Sequence, residues 1–571
     1  MQVLEAEKKL GPVVPNIARM LQMNAKKFAG QFVYKERIGG IYQGISWEAL
    51  YENIIRIACS LRRYGFVEGD KMVIFSGNNL KMLEMELAVM SSGGIAVPIF
   101  ANFQKETAEL LIQHSDARFL AVAGKQQLNN VSPSLPLKRI FVFEDVEDSR
   151  FTNLTSFQEL LKAEADPDFS LKSDASPHDI CLNMYTSGTM GIPKCVQLTH
   201  RNILSQRAAM DLLWDIDEND RFLSYLPWHH SFGGIFELFT ALYNGAVYHL
   251  ESSYGKDVRE IFENWKQVKP TVFFSVPKVY QALFDLTQEN PEAEKVFFHP
   301  ELKFIFTAAA PLPERLSREF EKRNIPVLEG WGLTETSPCC TITDPTLPRK
   351  PGIVGKPIPG VSLRIGEDNE IQVKGPNVMV GYYKNDAANA EAFTEDGWFR
   401  TGDVGEFTPT GLKLIARKDR IFKLSNGEKV IPTEIESVIQ SKCHFLAFVL
   451  VEGRGEDYPV ALLFPNKHLL ERSDSEILDF EGCVCPRSLQ DLSRCLHHCL
   501  QEINCNLEQD FARIRSAILI DDELSIENRT LTPSMKMVPN RVIQVYKAHL
   551  EKLYGKSYPV KEQVYIIKLE Q

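Results

Sequence analysis

The sequence predicts an α/β protein: a large N-terminal domain of layered sheets and helices with a β-rich section, then a smaller α+β C-terminal domain. Three observations lead there. The 571 residues exceed what a single hydrophobic core covers. Helical and strand-like patterns alternate to about residue 330, as parallel α/β layers require. Short strand-like runs between Gly, Pro, Asn and Asp turns then fill about 352–416, before a charged run and a second α+β pattern.

Taken along the chain, Leu50, Ile54, Ile57, Ala58 and Leu61 recur at helical spacing within 46–66, and Gly65 ends that helix. Lys71–Phe75 reads as a buried strand; a helical pattern follows, and Ile95–Ile99 is the next strand. In the β-rich section the strands are expected at 362–365, 370–373, 405–407 and 412–415. Arg417-Lys418-Asp419-Arg420 marks the boundary, giving domains 1–418 and 419–571.

Composition is that of an ordinary globular protein, and a net charge of -11 argues against a general nucleic-acid binder. The first seven residues carry acids where a signal peptide wants bases. No run of 18 apolar residues occurs; the nearest, 87–100, is broken by Ser91-Ser92-Gly93-Gly94 and Pro98. A cytoplasmic protein is expected, with peripheral contact to a membrane and the oligomeric state left open. Eleven cysteines are too few for a disulfide scaffold of this size. Five crowd one window (Cys483, Cys485, Cys495, Cys499, Cys505) without the paired spacing of a zinc site. Cys495 and Cys499 would share a helix face beside His498, so a metal site stands as the lesser alternative to small apolar packing.

The sharpest local signal is Tyr185-Thr186-Ser187-Gly188-Thr189-Met190-Gly191-Ile192-Pro193-Lys194, after a strand-like run. Its glycines, hydroxyls and lysine offer backbone N–H groups, O–H donors and a point charge to a polyphosphate. A polar turn would look the same, and the Gly-Lys-Ser/Thr of a Walker A loop is missing. Next comes Gly330-Trp331-Gly332-Leu333-Thr334-Glu335, where glycines admit a flat ring, the aromatic can stack on it and Glu335 can hold Mg²⁺. Its alternative is a strand exit with Trp331 in the core. Thr401-Gly402-Asp403 puts an acid after an expected tight turn, suited to two ribose hydroxyls. Arg417 and a loop lysine, Lys536 after Pro533, complete the set.

These motifs, in this order from about Ser46 to about Tyr546, resemble the adenylate-forming superfamily of acyl- and aryl-CoA synthetases, luciferases and peptide-synthetase adenylation domains. Leu524-Ser525-Ile526-Glu527-Asn528 before Leu531-Thr532-Pro533 is similar to long-chain acyl-CoA synthetases of the bubblegum-like group. The resemblance implies that a fatty acid attacks Mg·ATP to give acyl-AMP, and that coenzyme A then displaces AMP. It implies catalytic roles for Lys536, Glu335, Thr189 and His230, with Glu335 and Thr189 at the metal. Thr186, Ser187, Gly188, Thr189, Gly191 and Lys194 would bind phosphates; Gly330, Trp331, Gly332 and Thr334, with Asp403 and Arg417, would bind the nucleoside. His230 lies in Leu226-Pro227-Trp228-His229-His230-Ser231-Phe232-Gly233-Gly234, which resembles the family's acyl-site motif. Trp228, Phe232 and the two glycines fit an apolar acyl entrance, and equally a core turn. Asp419 matches the family's hinge, and Lys423 would approach coenzyme A once a mobile C-terminal domain has turned.

Two positions depart from the family's loop: Met190 stands where threonine is common, and Cys195 where glycine follows the lysine. A crowded loop, an exposed thiol of lowered pKa beside Lys194, or a thiol turned into the core are the options for Cys195. The rivals to a fatty acid:CoA ligase are a ligase delivering to a carrier-protein thiol and a catalytically weakened lipid-binding protein on the same fold.

Overall fold

The computed structural model describes residues 2–162, 169–186, 193–289, 291–308, 312–347, 349–350, 352–467, 469–471, 486–532, 536–556 and 563–569. It forms two compact units. One is built from Met1–Gly188, Pro193–Thr401 and Glu406–Lys413, the other mainly from Gly402–Gly405 and Leu414–Gln571.

The first unit carries an eight-stranded and a nine-stranded sheet. In the eight-stranded sheet, Lys71–Phe75 pairs in parallel with Ile95–Ile99 and with Phe119–Val122. These strands are apolar almost throughout and buried, as strands covered on both faces must be. The helix Trp47–Arg63 starts at Ser46, whose Oγ accepts from Ala49 N at 3.2 Å, and stops where Gly65 takes φ +79°. An antiparallel hairpin, Ile180–Thr186 with Lys194–Thr199, and then Gly381–Tyr382 extend this sheet to its edge.

The nine-stranded sheet has a parallel centre of Val247–Leu250, Arg221–Ser224, Val272–Ser275, Phe304–Thr307 and Val327–Trp331. Its registers bring Ser275 level with Thr307, and Thr307 level with Glu329. The loops after Ser224 and after Trp331 therefore leave from carboxyl ends of strands, where open parallel sheets place ligands. The β-rich section forms a five-stranded sheet of Val3–Glu5, Ser362–Ile365, Glu370–Lys374, Phe399–Thr408 and Gly411–Arg417. Here one expectation is corrected. The tight turn lies earlier, at 394–397, and Thr401-Gly402-Asp403 sits beyond it inside the strand Phe399–Thr408, where Gly402 at φ +69° interrupts the extended backbone.

The second unit is an α+β sandwich around a four-stranded sheet, Leu446–Glu452, Val460–Pro465, Ser516–Ile520 and Val564–Lys568. Alternate residues serve opposite faces. Val449, Val451, Ala461, Leu463, Ala517 and Leu519 pack with the helices Pro432–Lys442 and Leu489–Asn506. Leu450, Leu462, Ile518 and Ile520 pack with Val542, Tyr546 and Leu550 on the other side.

Cys495 and Cys499 do share the helix Leu489–Asn506, and the hydrogen bond of the Cys499 thiol with Cys495, together with burial, raises the Cys499 pKa. Cys483 and Cys485 lie outside the described residues. Among the described residues no three His, Cys, Asp or Glu side chains are grouped to hold a metal ion, and no helix is long and apolar enough to cross a membrane.

Candidate active site

In the first unit, Thr186 and Lys194 face each other across the hairpin ladder. Residues 187–192 between them, with Ser187, Gly188, Thr189, Met190 and Gly191, lie outside the described residues. Lys194 Nζ sits 4.8 Å from the centre of the Tyr382 ring, within cation–π range. Tyr382 OH donates to Glu335 Oε1 at 2.8 Å. One tyrosine thus brings the phosphate-loop lysine and the candidate metal-binding acid together. Sequence reasoning missed it; its signal was a Gly-Tyr-Tyr run in the turn-rich section, where Asn389 Oδ1 accepts from Tyr382 N at 2.6 Å.

Glu335 is 9% exposed and is also held by its carbonyl, which accepts from Met379 N at 2.8 Å. The preceding glycines are needed by the protein itself. A Cβ on Gly330 would lie 2.7 Å from Phe306 Cζ, and one on Gly332 only 1.7 Å from Pro338 O. Trp331 between them is strand-paired to Thr341 and buried. Thr334 Oγ1 meets Ser231 Oγ at 2.9 Å, which joins this motif to the His230 loop.

The His230 loop is held at two points by one side chain. Asn78 Nδ2 donates to Leu226 O at 2.8 Å, and Asn78 Oδ1 accepts from Trp228 N at 3.0 Å. His230 Nδ1 accepts from Phe232 N at 3.2 Å, so the neutral ring carries its proton on Nε2. His229 instead packs 5.0 Å from the Phe100 ring, and burial pushes its pKa down to about 4. The two histidines have separate partners. The expected acyl entrance needs correction at Trp228, which is fully buried and donates to Tyr248 OH at 2.9 Å. Phe232 is buried too, 6.2 Å from Phe274 and 5.9 Å from Phe306. It opens a π-helix, Phe232–Glu237, a rare geometry found often at functional sites. Arg207 satisfies that helix by donating to Phe236 O at 2.7 Å.

Cys195 opposes Tyr185 in the ladder, is 1% exposed, and its thiol is pushed up to about 12 by burial. That overturns the exposed-thiol option: the side chain turns into the core.

In the second unit, Arg417 Nη1 pairs with Asp403 Oδ1 at 2.9 Å. Gly402 makes room, since a Cβ there would stand 3.3 Å from Arg417 Nη2. Lys536 is exposed, and its backbone is pinned: its carbonyl accepts from Thr532 N at 2.8 Å and its N–H donates to Thr532 Oγ1 at 3.1 Å. Partial desolvation lowers its pKa, which Asp403 opposes and Arg417 reinforces. Lys423 lies apart, on the two-stranded ribbon Phe422–Lys423 and Lys429–Val430. The Asp419 carbonyl accepts from Arg454 Nη2 at 3.2 Å.

The described residues fit Mg²⁺ on a nucleotide. Glu335 keeps a second oxygen beyond the one bonded to Tyr382, and Mg²⁺ takes one or two carboxylates with phosphate oxygens rather than a full protein cage.

With this geometry in view, a family model described as AMP-binding enzyme matches residues 21–383, and one for the AMP-binding enzyme C-terminal domain matches 419–558. A probable CoA ligase of Humulus lupulus is 26% identical over 92% of this chain and 90% of its own length. Long chain acyl-CoA synthetase 3 of Arabidopsis thaliana is 27% identical over 92% and 89%. Among solved structures, O-succinylbenzoate coenzyme A synthetase of Bacillus subtilis, in complex with ATP and magnesium ion, superposes with a TM-score of 0.71 at 23% identity, covering 92% of this chain and 98% of that one.

Proposed function

The chain belongs to the AMP-binding enzyme family, and on that premise we propose that it is an AMP-forming fatty acid:CoA ligase. The observation that carries the reading is the cluster of Lys194, Tyr382, Glu335, Thr334 and the His230 loop at the carboxyl ends of parallel strands. The long-chain acyl-CoA synthetase relatives supply the substrate class.

The first half-reaction joins two anions, a fatty carboxylate and the α-phosphate of ATP, so positive charge must be held where they meet. Lys194 and the loop 187–192 cradle the β- and γ-phosphates, with Thr186 at the loop's start. Glu335 and Thr189 would hold Mg²⁺, which would supply positive charge to those phosphates. His230 offers its Nε2 proton to a carboxylate oxygen of the acid as a positioning donor. Gly330, Trp331 and Gly332 wall the adenine; Asp403, oriented by Arg417, takes the ribose hydroxyls. Lys536 bridges the carboxylate and α-phosphate oxygens as pyrophosphate leaves.

In the second half-reaction the CoA thiol sulfur bonds to the acyl carbon, the acyl–phosphate bond breaks and AMP departs. A swing at Asp419 presents Lys423 to the CoA and withdraws Lys536. The buried Cys195 removes one of the two motives for a weakened protein on this fold. A cytoplasmic ligase with peripheral membrane contact suits a substrate that partitions into bilayers.

The test is a panel of acids assayed for AMP release with and without CoA. Long- or medium-chain acids should release AMP and form thioester only with CoA. Release that needs a carrier protein, or none with any acid, would overturn the assignment.

A further inference from the structure

One buried acid lies behind the His230 loop and has no part in the chemistry above. Glu237 closes the π-helix Phe232–Glu237 and is fully buried. Its Oε2 accepts a hydrogen bond from Ser224 Oγ and a long one, 3.5 Å, from Tyr248 OH. Each of those hydroxyls in turn holds the loop. Ser224 Oγ accepts from Leu226 N at 3.3 Å, and Tyr248 OH accepts from Trp228 Nε1 at 2.9 Å. Ser224, Tyr248 and Trp228 are themselves fully buried, so no water competes for these bonds.

The glycines add a second constraint. The backbone of Gly233 and Gly234 runs so close to the carbonyls of Leu226, Pro227 and Trp228 that the first turn of the π-helix and the loop form one packed body. Glu237 is the polar anchor of that body, and Asn78 holds the same loop through Leu226 O and Trp228 N.

We propose that Glu237 is a positioning residue for the acyl substrate: through Ser224 and Tyr248 it fixes residues 226–230, and so the direction of His230 Nε2. The proposal rests on the reading of this loop as the acyl site. Burial holds the carboxyl well above the ordinary carboxylate range, so it works as a neutral acid whose acceptor oxygen matters and whose charge does not. An amide can therefore replace it, and a hydrocarbon cannot.

Glu237→Gln, Glu237→Leu and Ser224→Ala, each in the full chain, test this in two ways. In fatty acid-dependent pyrophosphate exchange, Glu237→Gln should stay within about twofold of the parent, whereas Glu237→Leu and Ser224→Ala should raise the KM for the acid about tenfold and leave that for ATP unmoved. By hydrogen exchange, the amides of 224–231 should lose protection in Glu237→Leu and Ser224→Ala but not in Glu237→Gln. Ser224→Ala deletes a single hydroxyl, so it reads the link even if Glu237→Leu fails to fold. A Gln variant as impaired as Leu, equal rises in both KM values, or unchanged protection would each overturn the proposal. If the parent itself uses no fatty acid, the functional assignment fails, and amide protection still decides the clamp.

Discussion

Replacing Tyr382 by phenylalanine removes one hydroxyl and keeps the ring beneath Lys194. The lost bond, 2.8 Å to Glu335 Oε1, joins two side chains that are 6% and 9% exposed, so solvent replaces little of it. A hydrogen bond to a charged partner in such a place is worth about 1.5–3 kcal/mol. Glu335 keeps its backbone anchor from Met379 N, so its carboxylate loses aim without leaving the site. The lower end therefore applies: about 1.5 kcal/mol, or roughly tenfold in kcat/KM for MgATP. Tyr382→Leu also removes the ring face under Lys194, worth about 0.5–1 kcal/mol more. The assay is fatty acid-dependent pyrophosphate exchange with MgATP varied at saturating acid. If Tyr382→Phe matches the parent, or if its loss falls on the KM of the fatty acid instead, the link from Lys194 through Tyr382 to Glu335 has no role in holding the nucleotide.

Three further outcomes follow from the geometry. Glu86 is 2% exposed, its Oε2 has no partner among the described residues, and burial pushes its pKa up to about 8. The unfolded chain loses this proton near 4.5, so stability is intact below that pH and falls as pH rises through about 8; Glu86→Gln should recover up to about 5 kcal/mol at pH 8 and nothing at pH 4, read by thermal unfolding. Lys536→Ala should abolish pyrophosphate exchange and spare CoA attack on supplied acyl-AMP, because the lysine acts on charge that develops only in adenylation; equal loss in both halves would sink its role. Iodoacetamide should label the exposed Cys505 and leave exchange activity unchanged, since the Cys195 thiol is buried with a pKa near 12; ATP-protected inactivation would contradict that placement.

The α/β layers were legible because their causes are local. Lys71–Phe75 and Ile95–Ile99 read as buried strands from composition alone, and the helix Trp47–Arg63 ends beside the glycine that marked it. The order of the motifs was legible too, and with it the family. What stayed hidden depends on contacts distant in sequence. Tyr382 reaches Glu335 because a two-residue edge strand pairs with Lys194–Thr199, and no local pattern announces so short a strand. Asp403 looked like a turn residue because Gly402 reads as a turn signal, whereas a positive φ inside a strand serves to admit Arg417. Trp228 looked like an entrance for want of any sign that Tyr248 waits in the core to accept its indole proton.

The Gly233–Gly234 pair also limits how this protein can change. A methyl group at Gly234 would stand 2.0 Å from Trp228 O, and one at Gly233 2.7 Å from two carbonyl oxygens, so neither position admits any side chain without moving the backbone. On the proposed reading of this loop as the acyl site, substrate preference therefore cannot drift by trading residues at these two glycines. On that reading, retuning falls to neighbours such as Phe232, packed 6.2 Å from Phe274 and 5.9 Å from Phe306, where a smaller ring leaves a cavity and costs stability. A library aimed at altered acids should leave the glycines fixed and spend its diversity on those rings.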